Sequence, residues 1–128
     1  MSYTLDKVVS LSFDEAVSRI TEELKKEGFG ILTDINVKDT LKKKLDVDFR
    51  PYRILGACNP PFAYKALQEE NKIGSMLPCN VIIQQHDDGK IEISAIDPVS
   101  SMQAVKNTNL AAIAEEIRGK LGRAVSNV

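Results

Sequence analysis

Hydrophobic and polar positions along the chain switch repeatedly between a period of two and a period near 3.6. Residues Tyr3 to Val9 alternate loosely and predict a first strand. Ser12-Phe13-Asp14-Glu15 has the form of a capping box, with Ser12 as cap and Glu15 reaching back. Phe13, Ala16, Val17, Ile20 and Leu24 then follow at helical spacing, and Gly28 is placed as the residue just past the helix end. Alternation returns over 30–37, where Ile31, Thr33 and Ile35 are expected on one face of a second strand. Asn36 is placed to cap a short helix that carries Val37, Leu41 and Leu45 on its inner side. The outer side carries Lys38, Lys42, Lys43 and Lys44, which reads as a solvated face partly neutralised by Asp46 and Asp48.

The second half repeats this grammar. Residues 50–57 predict a third strand that ends at Cys58. Asn59-Pro60-Pro61 opens another helix, with Asn59 as N-cap, Pro60 at the favoured first position, and Phe62, Ala63, Ala66 and Leu67 as the apolar stripe. Gly74 and Pro78 punctuate the loop that follows. Cys79 to Gln85 predicts a fourth strand with Leu77, Cys79, Val81 and Ile83 on its apolar face and Asn80 on the other. Asp87-Asp88-Gly89 is a hairpin turn signal, Ile91, Ile93 and Ala95 continue as a fifth strand, and Asp97-Pro98 ends it. A connector through Val99, Met102 and Val105 leads to a last helix with Leu110, Ile113, Ala114, Ile117 and Leu121 on one stripe. No repeat, linker or low-complexity tract interrupts 1–128, so a single domain is predicted. The element order predicts an α+β fold whose sheet of about five strands bears its helices mainly on one face. The hairpin makes at least part of that sheet antiparallel.

Composition narrows the function. With 128 residues, 43% of them hydrophobic and 27% charged, the chain has the balance of a soluble domain with its own core. A net charge of −1 and an aromatic content of 5% without Trp argue against nucleic-acid binding, which needs a basic face or stacking platforms. No segment resembles a signal peptide or reaches the roughly 20 apolar residues of a membrane span, so a cytoplasmic protein without membrane contact is expected. In that compartment the two cysteines are expected as free thiols.

Those cysteines mark the candidate site. Cys58-Asn59 and Cys79-Asn80 each sit where an apolar run meets a turn. Cys58 precedes a helix N-terminus, whose partial positive charge favours a thiolate; the competing reading is that it packs. Cys79 lies on an apolar strand face, where burial is its expected role. Asn80 faces the other way, and a ligand is one source of partners for its amide if it is buried. Arg53 stands in mid-strand, where a charge needs either an internal carboxylate or an acidic ligand. Phosphate binding at the third helix is argued against by Pro60 and Pro61, which lack backbone N–H groups. The only histidine, His86, lies seven residues beyond Cys79 on the same strand, roughly 23 Å away when extended, so the two cannot share an ion. No metal site and no cofactor are predicted, and His86 reads as a solvent-facing turn residue. No second histidine is present to serve as base for a catalytic cysteine.

Two segments resemble a known family. The run from Lys44 to Pro60, with Arg53, Gly56, Cys58, Asn59 and Pro60, and the run from Ile73 to Val81, with Leu77, Pro78 and Cys79, are similar to the prokaryotic domain of unknown function family 302. Gly28-Phe29-Gly30-Ile31-Leu32 fits as well. The resemblance implies a compact α+β domain with a curved, mostly antiparallel sheet and packed helices, often seen as a dimer. It implies no activity.

These readings predict a non-enzymatic cytosolic homodimer that binds a small ligand or a partner. The expected site has the two Cys-Asn segments flanking one pocket, with Arg53, Cys58, Asn59, Cys79 and Asn80 as candidate binding residues and no catalytic residue identified. An antiparallel third and fourth strand would put both cysteines at one end of the sheet. The alternatives are a thiol-dependent enzyme or redox protein using Cys58 and Cys79, and a structural or regulatory subunit.

Overall fold

The computed structural model describes residues 2–128 and begins with an edge strand, β1 (Thr4–Val9). The capping box forms as the sequence implies. The Ser12 hydroxyl accepts from the Glu15 amide, the Glu15 carboxylate accepts from the Ser12 amide, and α1 (Phe13–Lys26) follows. Its end is set by Gly28 at φ +88°, a left-handed conformation that glycine adopts without a Cβ clash. Then come β2 (Gly30–Asn36), α2 (Val37–Leu45), β3 (Tyr52–Cys58) and α3 (Pro60–Glu69). A single 3-10 turn over Ile73–Met76 leads to β4 (Cys79–Gln85), β5 (Ile91–Ile96), α4 (Pro98–Ser101) and α5 (Thr108–Ser126).

The five strands form one open, antiparallel sheet in the order β1-β5-β4-β3-β2. Register places Leu5, Ala95, Val81 and Leu55 in one row across the sheet, with Lys7, Ile93, Ile83 and Arg53 in the row beside it. On this face Leu55, Ala57, Val81, Ile83, Ile93 and Ala95 are buried against Ala16, Ile20 and Leu24 of α1 and Ile117, Leu121 and Ala124 of α5. Burial of large apolar side chains at about 25 cal/mol per Å² is the main force behind this layer. Two cross-braces tie the helices: Arg123 of α5 to Glu27 at the end of α1, 3.0 Å, and Arg118 of α5 to Asp97 before α4, 2.9 Å. The opposite face carries Ser94, Ile82, Ile54 and Ile35 in a row; Ile54 and Ile82 are half-buried and Ile35 is exposed. No described helix is long and apolar enough to cross a membrane.

Three local expectations are corrected. Ile31, Thr33 and Ile35 do not share a face, because the β2–β3 register shifts between Ile31 and Thr33. The extra residue, Leu32, moves Thr33 and Ile35 to the face away from α1 and α5. The connector after β5 contains a short helix, α4, whose first turn is capped by Asp97 accepting from the Val99 amide at 3.0 Å. Pro98 at its first position is the favoured arrangement for a helix start, so the Asp-Pro pair ends one element and begins another. Asn59 occupies the cap position of α3 yet makes no capping hydrogen bond. Of the amides that such a cap usually holds, the second belongs to Pro61 and does not exist.

Candidate functional site

The Cys-Asn segments meet through the pairing of β3 with β4. Ala57 lies directly opposite Cys79, so Cys58 and Cys79 are at the same end of the sheet. At that end the sheet, α3 and α5 diverge around a cavity of about 290 Å³. Its floor is Ala57, Cys58 and Cys79; one wall is the inner side of α3, Phe62, Ala63 and Ala66. The other wall is Ile113, Ala114 and Ile117 of α5, closed by Met102 and Pro98. Leu32, pushed out by the β2 bulge, and Leu67 of α3 stand at the rim with exposed side chains. No charged side chain lines this space, and Asn59 is the only polar one apart from the two thiols.

Both cysteines are free, Cys79 buried and Cys58 half-buried. Burial pushes the Cys79 thiol up to about 11, with the neighbouring Cys58 adding in the same direction. At neutral pH Cys79 is therefore an uncharged thiol that extends the apolar wall.

Asn59 is 7% exposed. Its Nδ2 donates to the carbonyl of Glu27 at 3.1 Å, which fastens the start of α3 to the end of α1. A Cβ on Gly28 would lie 3.0 Å from the same Nδ2, so a larger residue there would crowd the Asn59 amide, in addition to the demand made by the φ of +88°. Among the described residues Oδ1 of Asn59 has no donor, and no fully enclosed side-chain nitrogen or oxygen is left without a partner. Oδ1 thus keeps some contact with solvent, and Asn59 is part of the cavity lining.

The other two candidates lie elsewhere. Asn80 is exposed and points from the opposite face of the sheet, across from Gly56. Arg53 sits five residues before Cys58, roughly 17 Å along β3. Its Nε donates to Asp34 Oδ1 at 2.7 Å and its Nη2 to Asp34 Oδ2, a bidentate pair. That bond holds the Asp34 carboxyl below its usual range and raises the guanidinium further. Arg53 borders a separate polar hollow with Ser12, Asp14, Asn36, Lys38 and Tyr52, where Asp14 and Asp39 also favour its charge. The internal carboxylate is thus the partner that Arg53 needs. At the far end of β4 from Cys79, His86 Nε2 is 2.9 Å from Glu92 Oε1. Among the described residues no group of three or more His, Cys, Asp or Glu is placed to hold a metal ion.

The sequence pattern marks the floor of the cavity and the α3 wall, but not Leu32 at the rim or the α5 wall. Leu32 was hidden by the bulge. Ile113, Ala114 and Ile117 share one stripe with Leu121 in the sequence, and periodicity does not separate a packed position from one that borders a void.

Comparison with known proteins adds the following. A family model described as "Domain of unknown function DUF302" matches residues 5–128. The chain is similar to the crystal structure of an uncharacterized conserved protein DUF302 from Bacillus stearothermophilus, at 31% identity, over 98% of each chain and with a TM-score of 0.92. No curated protein matches.

Proposed function

The chain belongs to the DUF302 family, and from that premise we propose that it is a non-enzymatic domain which takes a small apolar ligand between its sheet, α3 and α5. The observation that carries this reading is the cavity itself. At about 290 Å³ it stands at the lower end of the size range of small-molecule sites. Its lining is uncharged, and it opens between two exposed leucines, Leu32 and Leu67. An apolar concavity open to solvent keeps hydrocarbon surface in contact with water, and an apolar occupant would remove that contact. A catalytic reading lacks a base: the only histidine is at the other end of β4 from Cys79 and faces Glu92.

The reading is tested by titration calorimetry with apolar probes of modest size, 1-octanol and n-octane derivatives among them. Saturable binding near one probe per chain is expected, and Ala66→Trp, which fills the cavity from α3, should abolish it. Absence of saturable binding up to the solubility limit of every probe would refute the proposal. Thiol chemistry is the second reading, supported by the half-buried Cys58 on the cavity floor. Cys58→Ser separates the two: ligand uptake survives the substitution, whereas a thiol-dependent activity does not.

A further inference from the structure

We infer that the ligand of this cavity is an uncharged molecule with one hydrogen-bond donor on an otherwise apolar body, and that the donor is received by Oδ1 of Asn59. This rests on the ligand-binding reading above and specifies its chemistry.

Asn59 is the one polar side chain on the wall besides the thiols, and more than nine-tenths of it is buried. The amide orientation is fixed by its partner. Glu27 offers a carbonyl, which only accepts, so the nitrogen must face Glu27. Oδ1 is left as a lone acceptor. The usual use of such an oxygen, capping its own helix, is not made here. An acceptor in a nearly buried side chain gains from a donor and loses from another acceptor.

Charge is selected against from both sides. Lys65 and Lys120 place their ammoniums 5.3 and 5.7 Å from the Phe62 ring centroid, but neither lines the wall, so a carboxylate or phosphate at Asn59 would meet the acceptor Oδ1 without a cation beside it. The adjacent end of α3 offers no substitute, since Pro60 and Pro61 lack the N–H groups that hold anions at helix starts. An ammonium would exchange full hydration for one neutral acceptor, which leaves it largely unpaired in apolar surroundings. A neutral hydroxyl or amide N–H matches what the wall offers. The remaining contacts are carbon and sulfur, from Phe62, Ile113, Met102 and Cys79. These ask for a hydrocarbon or aromatic body.

Three probes of similar length test the inference: 1-octanol, methyl heptyl ether and octanoate. Alcohol and ether have the same number of heavy atoms and differ in whether the oxygen donates. On the unmodified protein 1-octanol is expected to bind about three- to tenfold more tightly than the ether, the worth of one neutral hydrogen bond. Octanoate should bind more weakly than either. Asn59→Leu should bring alcohol and ether to equal affinity. Because that variant also loses the link to Glu27 and could unfold, the comparison on the unmodified protein decides by itself. Equal binding of alcohol and ether there, or tighter binding of octanoate, overturns the Asn59 inference while leaving the cavity a binding site. No binding of any probe removes both readings together.

Discussion

At the residue scale, two cysteines one register step apart have been given different environments. Cys79 is held in the core with Ala57 and Val81, and burial lifts its thiol to about 11 from an ordinary 9.0. This has a consequence for stability at alkaline pH. Between those two values the unfolded chain releases a proton that the folded chain retains, so ionisation pulls toward the unfolded state. Cys79 therefore contributes fully below pH 9, and its contribution is lost as pH rises toward 11. The loss should reach about 2 kcal/mol near pH 10.5. Urea unfolding of the unmodified protein and of Cys79→Ala at pH 8 and pH 10.5 checks this. The variant is expected to be less stable at pH 8 but to show a flatter alkaline slope. Parallel slopes would mean that Cys79 is more solvated than its position implies. In the same samples a maleimide should modify Cys58 first, because Cys79 presents almost no thiolate at neutral pH and little surface.

At the element scale, the β2–β3 pair shows where a pattern of residues suffices and where it does not. Ser12, Glu15 and Gly28 specify α1 locally, because capping and a left-handed turn depend on residues within one turn of helix. Likewise the alternation of Cys79, Val81 and Ile83 with Asn80, Ile82 and Gln84 fixes which side of β4 faces the helices. The bulge at Leu32 has no such signature. Ile31, Thr33 and Ile35 alternate as a regular strand would, and the shift appears only in the pairing of β2 with β3, between Ile31 opposite Ala57 and Thr33 opposite Gly56. Asn59 was legible as a cap from its place before Pro60, but its actual partner, Glu27, is 32 positions away in sequence and known only once α1 and α3 are packed. Arg53 was legible as a charge in need of a partner, and not as one whose partner is Asp34 on the neighbouring strand.

The bulge and the cavity share a dependence on Gly56. A Cβ at this position would lie 2.2 Å from Thr33 Oγ1 on β2 and 2.8 Å from Pro78 Cγ before β4. The threonine can rotate away, but the proline ring cannot, so Gly56→Ala must displace the Pro78 segment that leads into Cys79. A cost of about 2 kcal/mol is expected, in the range of overpacked sites. Gly30, whose added Cβ would meet nothing within 4 Å, is the control; Gly30→Ala should change stability by less than half as much. Denaturation midpoints with unchanged slopes would establish both values. Equal effects at the two glycines would show that close packing at Gly56 is not what holds the strands in register.

At the scale of the whole molecule, the two faces of the sheet are unlike. One is covered by α1, α3 and α5, with the cavity where α3 and α5 part. The other presents the row Ile82, Ile54 and Ile35 across three neighbouring strands, with Val8 exposed on the far edge strand. Leu45, the last residue of α2, and Val47 just after it are exposed as well. A sheet face with isoleucines at its centre gains by excluding water, and a twofold axis lets one chain supply the cover for another. A homodimer formed on this face is therefore the expected assembly. Light scattering at micromolar concentrations should give twice the chain mass. Ile35→Lys places a charge at an exposed position on that face, where it costs an isolated chain little, and should shift the mass toward that of one chain. The fold of the variant is monitored by its urea midpoint, which separates dissociation from unfolding. A single-chain mass for the unmodified protein across this range would eliminate the dimer. A dimer that Ile35→Lys leaves intact would move the interface away from this face, to the free edges of β1 or β2. In either of those cases the cavity keeps its ligand chemistry, because none of its lining residues belongs to the isoleucine row.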